Sequence, residues 1–206
     1  TAVAAAVRSV GIGFLFAPML HGAMKYAIGP RREIGIRSIF NILGPMTNPA
    51  RANVQLTGVF SKELTTILAE VLVRLGMRRV LVVWGEGNLD ELTLTGVSHV
   101  ADGHNGKVTS YVLTPEDVGL SRATLADIRG GATPADAALQ VREVLGGAPG
   151  PKLDMVLLNA GAALHAAGKS DSIKSGVGMA REIIASGAAH GKLEQLLAFC
   201  RSVSPS

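Results

Sequence analysis

Three arginines, Arg31, Arg32 and Arg37, precede the proline-punctuated run Phe40-Asn41-Ile42-Leu43-Gly44-Pro45-Met46-Thr47-Asn48-Pro49. Each guanidinium is a planar fork of donors that matches a carboxylate or a phosphate. Pro45 and Pro49 lock φ and bias the residues before them to extended backbone, giving a rigid turn. Together these features suit a small planar anion. An ordinary strand-to-loop transition, with arginines solvated or paired to Glu33, accounts for the same residues. A second set is Trp84-Gly85-Glu86-Gly87-Asn88-Leu89-Asp90-Glu91-Leu92, which leaves an apolar, strand-like run. Open parallel sheets bind ligands beyond the carboxyl ends of their strands. Asp90 and Glu91 in that zone can hold Mg²⁺, which takes one or two protein carboxylates and completes its shell with water and substrate phosphate. Two solvated acids on a loop are the alternative. His21 and Lys25 lie one helical turn apart, so their side chains can meet.

Other chemistry is excluded or weak. Gly130-Gly131 and Gly146-Gly147 lack the spacing and the Lys-Ser/Thr of a phosphate loop. There is no Gly-x-Ser-x-Gly elbow and no kinase signature. His99, His104, His165 and His190 are scattered, without a partner at metal-ligand spacing. Cys200 is the one cysteine, which excludes an intrachain disulfide framework and a cysteine-rich zinc site and fits a reducing cytosol.

The elements that must position these residues come from a chain of 206 residues, 48% hydrophobic and 17% charged, enough for a sizeable core. The net charge of +4 and pI near 9.5 attract anions. No run of five basic residues occurs and aromatics are 4%, which argues against nucleic acid. No apolar run reaches the roughly 18 residues that span a bilayer. The first residues read as the middle of a helix, so a fragment is expected.

Residues 1–10 read as a helix with Val3, Ala6, Val7 and Val10 on one face, followed by a short buried strand at Phe14-Leu15-Phe16 and a helix near 19–27. Val54–Phe60 is a strand; Ser61 caps a helix that closes at Gly76; Arg79–Trp84 is a buried parallel strand. Strand, helix and strand make a βαβ unit. Val97–Ala101 and Val108–Leu113 form a hairpin across a five-residue loop, residues 102–106. Thr114–Asp117 starts a short turn. Thr133, Pro134 and Asp136 align as cap, first-turn proline and third-position acid of a helix to about Leu145. Residues 146–151 connect to helices near 152–167, 172–186 and 190–201, with 202–206 frayed. Asn159 sits in a helix of small residues, where it would satisfy a backbone group. The fold class is α/β: a mostly parallel central sheet with an added antiparallel hairpin, flanked by helices. Residues 1–30 read as the remnant of a helical region and hinge, and 31–206 as the α/β domain.

In this order, Phe16-Ala17-Pro18 with His21, the arginine and Gly-Pro run, Gly58-Val59-Phe60, Gly85, Leu89-Asp90-Glu91-Leu92, Arg129-Gly130-Gly131, Val144-Leu145-Gly146-Gly147 and Leu158-Asn159-Ala160 resemble the anthranilate phosphoribosyltransferase family. The resemblance covers essentially the whole chain. It implies a nucleoside phosphorylase/phosphoribosyltransferase-like fold and transfer of a phosphoribosyl group from phosphoribosyl pyrophosphate to anthranilate, in tryptophan biosynthesis. It implies Arg31 on the anthranilate carboxylate, His21, Gly44 and Pro45 along its access route, and Asp90 and Glu91 holding Mg²⁺ on the pyrophosphate; the role of Arg37 stays open. No protein nucleophile is required. The resemblance further implies a cytoplasmic homodimer without membrane or nucleic-acid partners. The family's Gly-Thr-Gly-Gly-Asp phosphate loop and Lys-His-Gly-Asn-Arg segment are not in the chain. They belong to a small helical domain upstream, so the chain is expected to be the larger α/β domain, inactive alone. A pyrimidine nucleoside phosphorylase would not need the Asp90-Glu91 pair. A non-catalytic nucleic-acid-binding relative would account for the high pI.

Overall fold

The computed structural model describes residues 1–15, 44, 46–48 and 50–203. The helix expected near 19–27, the side chains of His21, Arg31, Arg37 and Pro45, and the expected domain boundary at 30/31 lie outside the described residues. The chain divides into two compact units, residues 52–189 and residues 1–51 with 190–206.

The larger unit is built on the βαβ sequence: β1 (Val54–Gly58), α2 (Glu63–Arg74) and β2 (Arg79–Gly85). β1 and β2 pair in parallel with Leu56 opposite Leu81. Val80, Leu81, Val82 and Val83 are all at 0–1% exposure. Their unbroken apolar run follows from cover on both faces, by α2 on one side and by α4 on the other. α2 starts at Glu63 rather than on a Ser61 cap; the Ser61 hydroxyl donates to the Glu63 carboxylate instead. At its other end the expected glycine closes the helix. Gly76 has φ 90°, and the amides of Gly76 and Met77 donate to Val73 and Leu72, satisfying two terminal carbonyls.

β3 (Ser98–His104) and β4 (Lys107–Leu113) extend the sheet in the order β1-β2-β3-β4. Among the described residues the sheet is therefore mixed, one parallel pair followed by two antiparallel pairings, and the β3–β4 hairpin is the antiparallel addition the sequence implies. The hairpin loop is two residues and not five. Asp102, Gly103 and His104 stay in the ladder because β2 pairs with them on one side and β4 on the other. Asn105 and Gly106 alone make the turn, at φ 51° and 77°, the geometry that matches strand twist.

After a 3₁₀ turn at Glu116–Val118 come α3 (Pro134–Leu145), α4 (Pro151–Ala166) and α5 (Ile173–Ala185). The cap of α3 is as its sequence implies: Thr133 Oγ1 accepts from the Asp136 amide, and the Asp136 carboxylate accepts from the Thr133 amide. α4 and α5 touch through glycine. A β-carbon at Gly161 would stand 2.6 Å from the Val177 nitrogen, and one at Gly176 would stand 2.3 Å from the Gly161 oxygen. Leu157, Leu158 and Ala162 of α4 then close the core over Leu81 and Val83.

In the smaller unit, α1 (Ala2–Ser9) buries Ala6, with Val10 buried just after it, while Val7 is half exposed. The strand expected at residues 14–16 is not found in the described part. Gly11 ends α1 at φ 86°, and Phe14 is 76% exposed outside the four-stranded sheet. α6 (Ala188–Val203) has no fully buried residue, and Lys192 Nζ donates to the Val10 oxygen at 2.8 Å. Its helical turns include Ser202 and Val203, where fraying was expected. Among the described residues, no helix is long and apolar enough to cross a membrane.

Candidate functional site

β2 ends at Gly85, and the chain reverses through Gly87 and Asn88, at φ 92° and 61°. Gly85 and Leu89 then exchange amide-to-carbonyl hydrogen bonds of 2.8 and 3.0 Å, so the segment that follows turns back over the sheet. Asp90 and Glu91 thereby cross the carboxyl ends of both parallel strands. The fit is set by two glycines. A β-carbon at Gly58, the last residue of β1, would lie 1.4 Å from the Asp90 oxygen. One at Gly85, the last residue of β2, would lie 2.6 Å from the Glu91 oxygen.

The far side of the segment is tied down by polar bonds under an apolar seal. Leu92 and Leu94 are fully buried. Asn159 of α4 accepts from the Leu92 amide at 3.0 Å and donates to the Leu92 oxygen at 2.9 Å and the Met155 oxygen at 3.1 Å. Asn159 thus satisfies a backbone group, as its setting suggested, and that group adjoins Glu91. Ser98 Oγ accepts from the Thr93 amide at 3.0 Å, and the Glu86 carboxylate accepts from the Val97 amide at 2.9 Å.

The side chains of Asp90 and Glu91 remain exposed on this fixed backbone. Partial burial, and then the Asp90 charge beside it, raise the Glu91 carboxyl above its ordinary value. A cation bridging the two would relieve that repulsion. The donor set is all oxygen, and no group of three His, Cys, Asp or Glu converges on a metal among the described residues. Two adjacent carboxylates with open positions left for water and phosphate fit Mg²⁺ and do not fit a closed protein cage.

Beside Glu91 lies an apolar cavity of about 360 Å³, bordered by Ile128, Val144, Met155 and Val156, with Lys152 at its edge. Gly130 and Gly131 line it, and a β-carbon at Gly131 would stand 2.5 Å from the Ala137 nitrogen at the start of α3. Gly131 thus serves packing, whereas nothing stands within 4 Å of a β-carbon at Gly130; neither has phosphate-loop spacing. Of His21, Arg31, Gly44 and Pro45, the residues expected on the anthranilate side, Gly44 alone is described; it is exposed, and its oxygen accepts from the Thr47 amide at 3.2 Å. The roles of Gly58 and Gly85 were not foreseen. The available signal was glycine closing a β pattern, which marks close backbone approach.

His165 belongs to a separate, structural cluster. The Arg79 guanidinium forks onto Asp102 at 2.8 and 3.3 Å and reaches the His165 oxygen at 3.2 Å and Nε2 at 2.7 Å. Arginine only donates, so Nε2 is the acceptor, and Nδ1–H donates to the Ser170 oxygen at 3.0 Å. Burial, then the Asp102 charge, push the Tyr111 hydroxyl up to about 12.

An acidic pair seated across the ends of a parallel βαβ unit marks an α/β domain that takes its ligand beyond the strand ends. The chain belongs to the glycosyl transferase family, a/b domain, which matches residues 1–190. It is 68% identical over 197 residues to the anthranilate phosphoribosyltransferase of Desulfotalea psychrophila, covering 96% of this chain and 57% of that protein. It is 53% identical over 201 residues to the enzyme of the same name from Moorella thermoacetica, covering 98% and 59%. The crystal structure of anthranilate phosphoribosyltransferase from Thermus thermophilus superposes with a TM-score of 0.90 at 48% identity, covering 97% of this chain and 59% of that one. The Saccharomyces cerevisiae enzyme in complex with PRPP and Mg gives 0.78 at 28% identity, covering 89% and 53%. The α/β class is therefore shared with solved phosphoribosyltransferases, and the chain spans 57% and 59% of the length of those two curated relatives.

Proposed function

We propose that this chain is the larger α/β part of an enzyme that transfers the phosphoribosyl group of phosphoribosyl pyrophosphate to anthranilate, giving N-(5-phosphoribosyl)anthranilate and pyrophosphate in tryptophan biosynthesis. The observation that carries this reading is the Asp90–Glu91 pair, held across the ends of β1 and β2 by glycines that admit no side chain. Relatives of that name at 68% and 53% identity, one solved neighbour with PRPP and Mg, and another with 4-fluoroanthranilate support it. Asp90 and Glu91 supply oxygen ligands for Mg²⁺ on the pyrophosphate. When bound, the ion neutralises charge on the departing group as the ribosyl carbon becomes electron-poor. The chain's own part is positional. It holds the two carboxylates still, and Arg31 takes the anthranilate carboxylate so that the amine faces the ribosyl carbon. His21, Gly44 and Pro45 line the route by which anthranilate enters. No protein nucleophile takes part. The Asp90–Glu91 pair also counts against the phosphorylase alternative, which has no use for it. A homodimer in the cytoplasm, completed by an upstream helical segment, belongs to the same reading.

The test is to join this chain to the remaining part of the Desulfotalea psychrophila relative and follow loss of anthranilate fluorescence with phosphoribosyl pyrophosphate and Mg²⁺. Turnover that depends on both substrates is expected. A folded fusion that consumes neither overturns the assignment.

A further inference from the structure

We propose that Asn159 is a positioning residue for the acidic pair: by gripping the Leu92 backbone it sets the direction in which Glu91 presents its carboxylate. The inference rests on the reading of Asp90 and Glu91 as ligands of a phosphate-bound divalent cation. Both peptide units flanking Glu91 are fixed by contacts outside the segment. The unit before it carries the Asp90 oxygen, which passes where a β-carbon on Gly58 would stand 1.4 Å away. The unit after it has its oxygen, that of Glu91, over Gly85 and its amide, that of Leu92, on Asn159 Oδ1 at 3.0 Å. With one plane packed against Gly58 and the other packed against Gly85 and bonded to Asn159, rotation about φ and ψ of Glu91 is restricted, and so is the direction of its Cα–Cβ bond.

Asn159 is suited to this. Its amide uses both donor hydrogens, on the Leu92 and Met155 oxygens, and its oxygen takes the Leu92 amide. The opposite orientation of the amide would set oxygen against two carbonyls, so the pattern admits one rotamer. The bond to Met155 ties it to the preceding turn of α4, whose Leu157 and Leu158 are buried in the core. The rigidity of α4 is thus delivered one residue beyond Glu91, while the sheet constrains the segment from its other side. Partners that orient a metal ligand typically change metal affinity about 10- to 100-fold when removed.

The experiment measures Mn²⁺, a paramagnetic stand-in for Mg²⁺, binding to the fusion enzyme described above with pyrophosphate present, by electron paramagnetic resonance. Four variants are compared with the unaltered fusion: Asn159→Leu and Asn159→Ala, which remove the grip; Asp90→Ala with Glu91→Ala, which removes the ligands; and Leu72→Ala, a buried substitution in the last turn of α2 and not on α4. Thermal melts establish folding, and Asn159→Ala is read where Asn159→Leu does not fold. The Asn159 variants should bind Mn²⁺–pyrophosphate about 10- to 100-fold more weakly. Leu72→Ala should lower the melting temperature and leave binding unchanged, since a structural loss alone does not move it. Folded Asn159 variants with the unaltered affinity overturn the role of Asn159 and leave the metal reading standing. If removing both carboxylates leaves binding intact, the metal reading falls and takes this inference with it.

Discussion

Gly58 governs how near the acidic segment can lie to the end of β1. A methyl group there would sit 1.4 Å from the Asp90 oxygen, and the obstacle is backbone, which cannot rotate aside. Gly58→Ala should therefore lift residues 90–91 off the sheet. Overpacking of this kind costs about 1–3 kcal/mol, so urea unfolding should shift to lower concentration. Mn²⁺–pyrophosphate binding should weaken in the same variant, and a variant of unaltered stability would show that the segment relaxes freely. Arg31 belongs to the same scale. A charge-assisted contact is worth roughly 1.5–3 kcal/mol, or about ten- to a hundredfold in affinity. In the fusion enzyme, Arg31→Ala should raise the KM for anthranilate by that factor and barely move the KM for the phosphoribosyl donor. A rise in the donor KM alone would assign Arg31 to the phosphates.

At the scale of elements, the Arg79–Asp102 pair stitches β2 to β3, and Arg79 carries the link on to α4 through His165. Side-chain exposures of 15% and 16% leave the pair mostly desolvated. Asp102→Ala would strand a guanidinium in that setting, a loss on the order of 3 kcal/mol, the low end for buried pairs because some water reaches it. Equilibrium unfolding measures it, and a loss near zero would mean that solvent replaces the carboxylate. Tyr111 reads the same region by pH. Its folded hydroxyl titrates at about 12 instead of 10.0, raised by burial first and the Asp102 charge second. The neutral form is the one folding favours. Its contribution is complete below pH 10.0 and is lost as pH climbs through about 12. Absorbance titration of the two tyrosines should show a component near 12 that Tyr111→Phe removes.

For the molecule as a whole, the larger unit has a continuous core from β2 through α4 and α5, which predicts a cooperative thermal transition for the purified chain. Phosphate-cradling machinery is another matter. Gly131 is engaged in packing at α3, and Gly147 is the φ 84° turn after that helix. The chain alone should therefore fold, yet leave anthranilate fluorescence unchanged with phosphoribosyl pyrophosphate and Mg²⁺. Turnover by the chain alone would mean that the donor's phosphates are held within these residues.

What could be read from the sequence is what short range controls. The βαβ unit, the Thr133–Asp136 capping box and the Gly76 helix end each follow from a few adjacent residues, and each is found. The acidic pair, too, was visible as two neighbours after a strand. Where local signals were poor the reading fell short. Asp102, Gly103 and His104 are weak strand formers, and only pairing on both sides keeps them in the sheet. The arrangement of the site is of that second kind. Gly58 meets Asp90 across α2 and β2, and Asn159 reaches Leu92 over 67 positions. Residue types and spacing determined which carboxylates are available; the tertiary structure decided where they point, because only chain closure brings the strand ends and α4 against one peptide segment.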